Sequence, residues 1–124
     1  MPSRMSAYLY IFATVAFTVY GQLIFKWRMQ RFGVLPADPA EKIKALLRLV
    51  PDPAILSGFA AAFLAALCWM VVLTRMPLSQ AYPLTALTFV FVVLGGAAIF
   101  HEAMGPLQFA GLALIVTGLV IGSQ

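Results

Sequence analysis

Residues 54–74 read AILSGFAAAFLAALCWMVVLT, an apolar run without a single charged side chain. About 20 such residues are what a helix needs to cross a hydrocarbon core. Working outward, similar runs extend from Ala7 to Phe25, from Leu78 to Phe100 and from Pro106 to Ile121. None shows the strict alternation of a barrel strand, and backbone in lipid must satisfy its own hydrogen bonds, so each run is predicted to be helical. The turns between the later runs, Arg75-Met76-Pro77 and His101-Glu102-Ala103-Met104-Gly105, are short, which makes successive helices antiparallel neighbours. The expected fold class is an all-α membrane protein, a four-transmembrane-helix bundle forming a single domain over residues 1–124.

Composition supports this solvent assignment. Of the 124 residues, 63% are hydrophobic and 10% charged, more apolar surface than a soluble domain of this size can hide. The net charge of +4 does not point to nucleic acid, because no basic domain exists to carry such binding. Cys68 is the only cysteine, so an internal disulfide and a multi-cysteine metal site are excluded; it reads as a packing residue. His101 has no ligand partners in the pattern and implies no metal site. Arg4 precedes the first run, but that run contains Tyr20 and Gln22 and ends at Lys26-Trp27-Arg28 without small residues spaced for cleavage. It reads as a retained helix, not a signal peptide.

Lys26 to Pro53 is the one sizeable polar connector, with Lys26, Arg28, Arg31, Lys42, Lys44 and Arg48 against Asp38, Glu41 and Asp52. Asp38, Pro39 and Glu41 stand at capping-box spacing. Ile43, Leu46, Leu47 and Val50 follow at helical spacing until Pro51 and Pro53 stop the pattern. A helix over 39–50 is too short to span and is expected to lie flat at the headgroups, as a tether or as a contact for anionic membrane lipids. Basic residues favour this connector's face over that of the termini by six to two, or six to three with the N-terminal amine. The connector is therefore predicted to be cytoplasmic and the termini external.

Function is narrowed first by what the runs lack. All four acids, Asp38, Glu41, Asp52 and Glu102, fall between them. A proton-coupled cation exporter ordinarily keeps a carboxylate at membrane depth, where such a charge is costly unless it works. The polar groups present are neutral. Thr18 and Gln22 share a face of the first helix with Lys26, while Tyr82, Thr85 and Thr88 occupy the first half of the third. Such groups suit hydrogen bonding to a sugar or phosphoester, or bonding between helices. Lys26, Arg28 and Glu102 are expected near one membrane face, with Lys26–Glu102 either a helix-end ion pair or part of a ligand site. Trp27 suits an interfacial anchor, Trp69 a core or lipid-facing place, and Pro83 a kink in the third helix.

Gly58 and the alanines of the second helix suit close packing within the chain, and Gly111, Gly118 and Gly122 of the fourth suit a subunit interface or an internal contact. Four helices hardly enclose a path for a polar headgroup, and transporter sites form between repeated units. A homodimer, or a heterodimer with a related four-helix subunit, is expected. No nucleophile–base set, phosphate-cradling loop or nucleotide site is found, so neither enzymatic activity nor a cofactor is predicted.

Particular residues also carry a family likeness. Gly21-Gln22-Leu23-Ile24-Phe25-Lys26, Met76-Pro77-Leu78-Ser79-Gln80-Ala81-Tyr82-Pro83-Leu84, Phe100-His101-Glu102 and the stretch Gly111 to Gly118 resemble the four-helix small multidrug resistance superfamily of drug/metabolite transporters. Within it, the chain resembles the small flippase subunits that move undecaprenyl-phosphate-linked aminoarabinose across the bacterial inner membrane. Drug-exporting relatives carry a glutamate where this chain has Thr18, and their first loop is shorter than the one holding Pro36, Pro39, Pro51 and Pro53. The resemblance implies paired subunits and an inner-membrane flippase, or flippase subunit, for a polyprenyl-phosphate-linked sugar or similar anionic lipid. Its substrate would meet Thr18, Gln22, Lys26, Arg28, Tyr82, Thr85, Thr88 and Glu102. The alternatives are a multidrug-type exporter of cationic or neutral small molecules and a non-transporting accessory subunit.

Overall fold

The first helix does not stop where hydrophobicity stops. In the computed structural model, which describes residues 2–122, α1 runs Pro2–Phe32. Lys26, Arg28 and Arg31, read above as the start of the connector, are therefore helical. No glycine or proline interrupts the chain between Gln22 and Phe32, and cations are favourable in the last turns of a helix. The stop comes at Gly33, whose φ of 98° lies in the left-handed region open to glycine. Its N–H still donates to the Met29 carbonyl at 3.0 Å. The Met1 amine and the Arg4 side chain, counted in the charge comparison, lie outside the described residues.

After a short extended link come α2, Pro39–Leu49, and α3, Pro53–Leu73. The capping box anticipated at Asp38 and Glu41 does not form. Asp38 makes no side-chain cap hydrogen bond, and the Glu41 carboxylate lies 3.6 Å from Lys44 Nζ. Asp52 does cap α3, accepting from the Ala54 N–H at 2.9 Å and the Ile55 N–H at 3.4 Å.

The third apolar run is divided into α4, Leu78–Thr85, and α5, Leu87–Phe100. Pro83 has no N–H to donate, and the ladder resumes after Ala86 with tighter bonds, Ala86 N–H to the Pro83 carbonyl and Phe89 N–H to the Ala86 carbonyl. His101, with φ 56°, turns the chain towards α6, Pro106–Gly122. The Gln108 Oε1 accepts from the Gly105 N–H there at 3.0 Å.

Close packing concentrates between α1 and α3, the most extensive helix pair. A Cβ on Gly21 would stand 3.3 Å from the Gly58 carbonyl oxygen, and one on Gly58 only 2.5 Å from the Phe25 ring. Ile11, Val15, Val72 and Ala81 form the buried core, with Trp69 and Leu84 packed against it. Neither α5 nor α6 contains a buried residue. Elsewhere large apolar groups point outward: Phe12 is 70% exposed, Phe63 65% and Leu114 72%. Water would penalise that surface heavily, whereas lipid does not. Met5–Phe32, Pro53–Leu73 and Leu78–Phe100 are long and apolar enough to cross a membrane, and α6 is a shorter apolar helix.

Candidate functional site

α4 and α5, with Gln22 of α1 and Ile115 of α6, line a groove of about 1150 Å³. Its walls are mainly apolar, and its polar groups are Gln22 from α1 with Ser79, Tyr82, Thr85 and Thr88. This is the usual composition of a binding cleft, an apolar lining with few hydrogen-bonding groups. A second recess of about 290 Å³ lies between α1 and α3, lined by Thr14, Thr18, Gln22 and Trp69 among others. Gln22 lines both spaces, so it links the two threonine sets.

The hydroxyls are partly committed. Thr18 donates to the Thr14 carbonyl at 2.7 Å, Thr14 to the Tyr10 carbonyl at 2.8 Å, and Thr85 to the Tyr82 carbonyl at 2.6 Å. Their oxygens remain able to accept, so the groove can receive a ligand's hydroxyl or amine donors without breaking those bonds. The Tyr82 ring meets Trp69 edge to face, with centroids 6.0 Å apart.

Charges gather at the C-terminal end of α1. The left-handed turn at His101 leads to Glu102, whose carboxylate folds back beside Gly96, 3.5 Å from where a Cβ would be. Glu102 Oε1 stands 3.9 Å from Lys26 Nζ, both side chains half-exposed. Arg28 takes another direction. Its Nε donates to Asp52 Oδ2 at 2.9 Å, away from the groove lining. That guanidinium holds the Asp52 carboxyl below its ordinary value; partial desolvation opposes the effect, and the Ala54 and Ile55 amides reinforce it. Arg31 lies over the Trp27 ring at 4.7 Å.

Of the residues singled out in the sequence, then, Gln22, Tyr82, Thr85 and Thr88 share the large groove, Thr18 lies in the adjoining recess, and Lys26 meets Glu102. Arg28 stands apart. Ser79 and Thr14 were not singled out. Thr14 was legible as the next step of the i, i+4 series Thr14, Thr18, Gln22, Lys26; Ser79 sits one turn before Pro83, where α4 turns its side chain to the groove. Among the described residues no group of acids, histidine and cysteine is placed to hold a metal.

Fold and site together define the class: a multi-pass helical membrane protein with a mostly neutral, hydrogen-bonding groove. The chain is 37% identical over 117 residues to the probable 4-amino-4-deoxy-L-arabinose-phosphoundecaprenol flippase subunit ArnE of Pseudomonas aeruginosa, covering 94% of this chain and 96% of that one. It is 32% identical over 118 residues to the probable flippase subunit ArnF of Erwinia tasmaniensis, covering 91% of each. It belongs to the family of 4-amino-4-deoxy-L-arabinose-phosphoundecaprenol flippase subunits. No family model matches the chain, and no solved structure does.

Proposed function

We propose that the protein is a subunit of an inner-membrane flippase for a polyprenyl-phosphate-linked sugar, and that it is not an enzyme. It acts as one four-span domain, α1, α3, the α4–α5 pair and α6 each crossing the bilayer. α2 lies along the cytoplasmic headgroups with Ile43, Leu46, Leu47 and Val50 towards the acyl chains. The groove is open on one side, so a second subunit, a copy or a related four-helix chain, completes the path. The sugar passes along Gln22, Tyr82, Thr85 and Thr88, with Thr18 behind Gln22, while the polyprenyl tail stays in lipid. Movement follows from inward- and outward-open packings that cargo stabilises differently.

The observation that carries this reading is a neutral groove with a cation, Lys26, one helical turn beyond its Gln22 wall on α1. Arg28 is engaged by Asp52 and Arg31 by Trp27, whereas among the described residues Lys26 has a single loose, half-exposed partner and is available to a phosphate. Thr18 in place of an acid, bonded to its own helix, argues against proton-coupled export of drug cations. The test is binding of a polyprenyl phosphate to the purified protein, read by native mass spectrometry. Hydrogen bonds to charged groups contribute roughly 1.5–3 kcal/mol, so Lys26→Ala is expected to weaken binding about tenfold or more. Undiminished binding and transport would remove the assignment.

A further inference from the structure

On the side of α1 turned away from Gln22 and the groove lies a smaller slot of about 350 Å³, lined by Tyr20, Leu23, Ile24 and Trp27 with Ile99 and Phe100 of α5. A Cβ on Gly95 would stand 3.4 Å from Leu23 Cδ1, so the two helices meet closely beside it. The Tyr20 hydroxyl is already spent on α3, donating to Ser57 Oγ at 2.9 Å. The slot therefore offers apolar surface and little that would hold a sugar. Its polar features stand at one end. Trp27 is 40% exposed, and an indole brings an N–H donor to the headgroup level. One turn further on, the exposed Arg31 guanidinium lies over the Trp27 ring, 4.7 Å from its centroid. At about 100° per residue, Arg31 is half a turn around α1 from Gln22, so it serves the slot and not the groove.

Among the described residues, carboxylates pair with Lys26, Arg28 and Lys44, and none pairs with Arg31. Stacking on an indole does not neutralise a guanidinium, whose in-plane N–H donors still match phosphate oxygens. From Tyr20 to Trp27 the slot follows roughly 10 Å of helix, within the about 15 Å of hydrocarbon in one leaflet. A partner helix could cover the apolar part but would leave Arg31 without a counter-charge. A free phosphate would satisfy Arg31 and leave the slot unfilled. An amphiphile uses both, and one with net negative charge suits Arg31 better than a lipid that carries its own cation. We infer that the slot holds an acyl chain of an anionic phospholipid from the surrounding bilayer, with its phosphate on Arg31 and Trp27 beside the glycerol. Bound there, the lipid bridges α1 and α5. The inference does not rest on the flippase reading, because the slot and the groove lie on different sides of α1.

The experiment reads lipid retained by the full-length protein, by native mass spectrometry, after release from nanodiscs of equal parts phosphatidylglycerol and phosphatidylcholine. The unmodified protein is expected to retain phosphatidylglycerol in preference by about fivefold, the effect of one basic residue near an anionic headgroup. Arg31→Gln should bring the ratio close to one, and Arg31→Lys should restore part of it. Ile99→Trp, which fills the slot with a ring, should lower retention of both lipids at unchanged helical content by circular dichroism. Lys26→Ala should leave the phosphatidylglycerol signal intact, and excess polyprenyl phosphate should not displace it. A preference that survives Arg31→Gln, or is missing from the unmodified protein, overturns the proposal. So does displacement by polyprenyl phosphate together with a loss in Lys26→Ala, which would give the slot to the transported lipid. If no lipid is retained and Ile99→Trp instead weakens subunit association, a partner helix occupies the slot and the proposal falls.

Discussion

Between α1 and α3, Gly21 and Gly58 face each other closely enough that an added methyl would meet backbone or ring. On α6, Gly111 and Gly118 would place the same methyl in open space. Residue type is identical and surroundings are opposite, so what a glycine does here is decided by its neighbour. The α1–α3 pair is also fastened at both ends, by Arg28 to Asp52 and by Arg75 Nη1 donating to Ser6 Oγ, with its guanidinium 5.8 Å from the Tyr10 ring. The α4–α6 half meets α1 through the looser Lys26–Glu102 pair, and it forms most of the groove wall. A rigid frame therefore stands beside a looser wall, the arrangement a transporter needs if one part is to move against another.

The largest effect is expected where the frame is tightest. Gly58→Leu drives a branched side chain into the Phe25 ring, which already packs edge to face on Phe59 at 5.2 Å. Overpacking of this kind costs about 1–3 kcal/mol, and thermal unfolding of the purified protein in detergent should fall accordingly. Gly118→Leu, made in parallel, should leave the unfolding of the isolated subunit nearly unchanged. Equal losses from the two would erase the distinction between frame and wall.

Next in size is the clasp at the end of the frame. Arg28→Ala removes the guanidinium that lowers the Asp52 pKa, and Asp52→Asn removes the charge itself. A carboxyl depressed in the folded state contributes stability that is complete above its unfolded pKa and lost as pH falls through its folded one. Unfolding scans of the unmodified protein should thus show stability declining below the ordinary carboxylate range. That acid-side dependence should shrink in both variants. An unaltered pH profile would mean that the clasp contributes nothing to folding.

Pro83→Ala tests the wall. It allows α4 and α5 to join into one continuous helix, which should raise helical content by circular dichroism and, by straightening the groove, lower transport in proteoliposomes several-fold. Retained transport would show that the break at Ala86 shapes packing only.

These contrasts also mark what was legible in the chain. Apolar run length picked out the three helices long and apolar enough to cross a membrane and the shorter α6, because lipid makes that signal strong, and Pro39, Pro51 and Pro53 bounded α2 because proline acts locally. The end of α1 was misjudged because Lys26 and Arg28 end the hydrophobic pattern without ending the helix; the stop is a backbone conformation at Gly33. Gln22, Tyr82, Thr85 and Thr88 were recognisable as neutral polar groups in apolar helices. The partner of Arg28 was not, since Asp52 reaches it only through the fold. The capping box failed for a local reason instead: Glu41 had a lysine within reach three residues along its own helix.

The smallest expected effect belongs to the α6 glycines. Gly→Ala in an open helical position gains roughly 0.5–1 kcal/mol from reduced chain entropy in the unfolded state, so Gly111→Ala and Gly118→Ala should slightly stabilise a dilute, monomeric sample. A Cβ at either position meets nothing within 4 Å among the described residues, which leaves no internal contact for the methyl to disturb. The informative measurement is therefore the concentration dependence. If the gain seen at high dilution reverses as subunits associate, the methyl is meeting a partner helix, and the open face of α6 belongs to the assembly. If the gain persists at every concentration, α6 faces lipid there, and the proposed second subunit would have to close the groove from the side of α4 and α5.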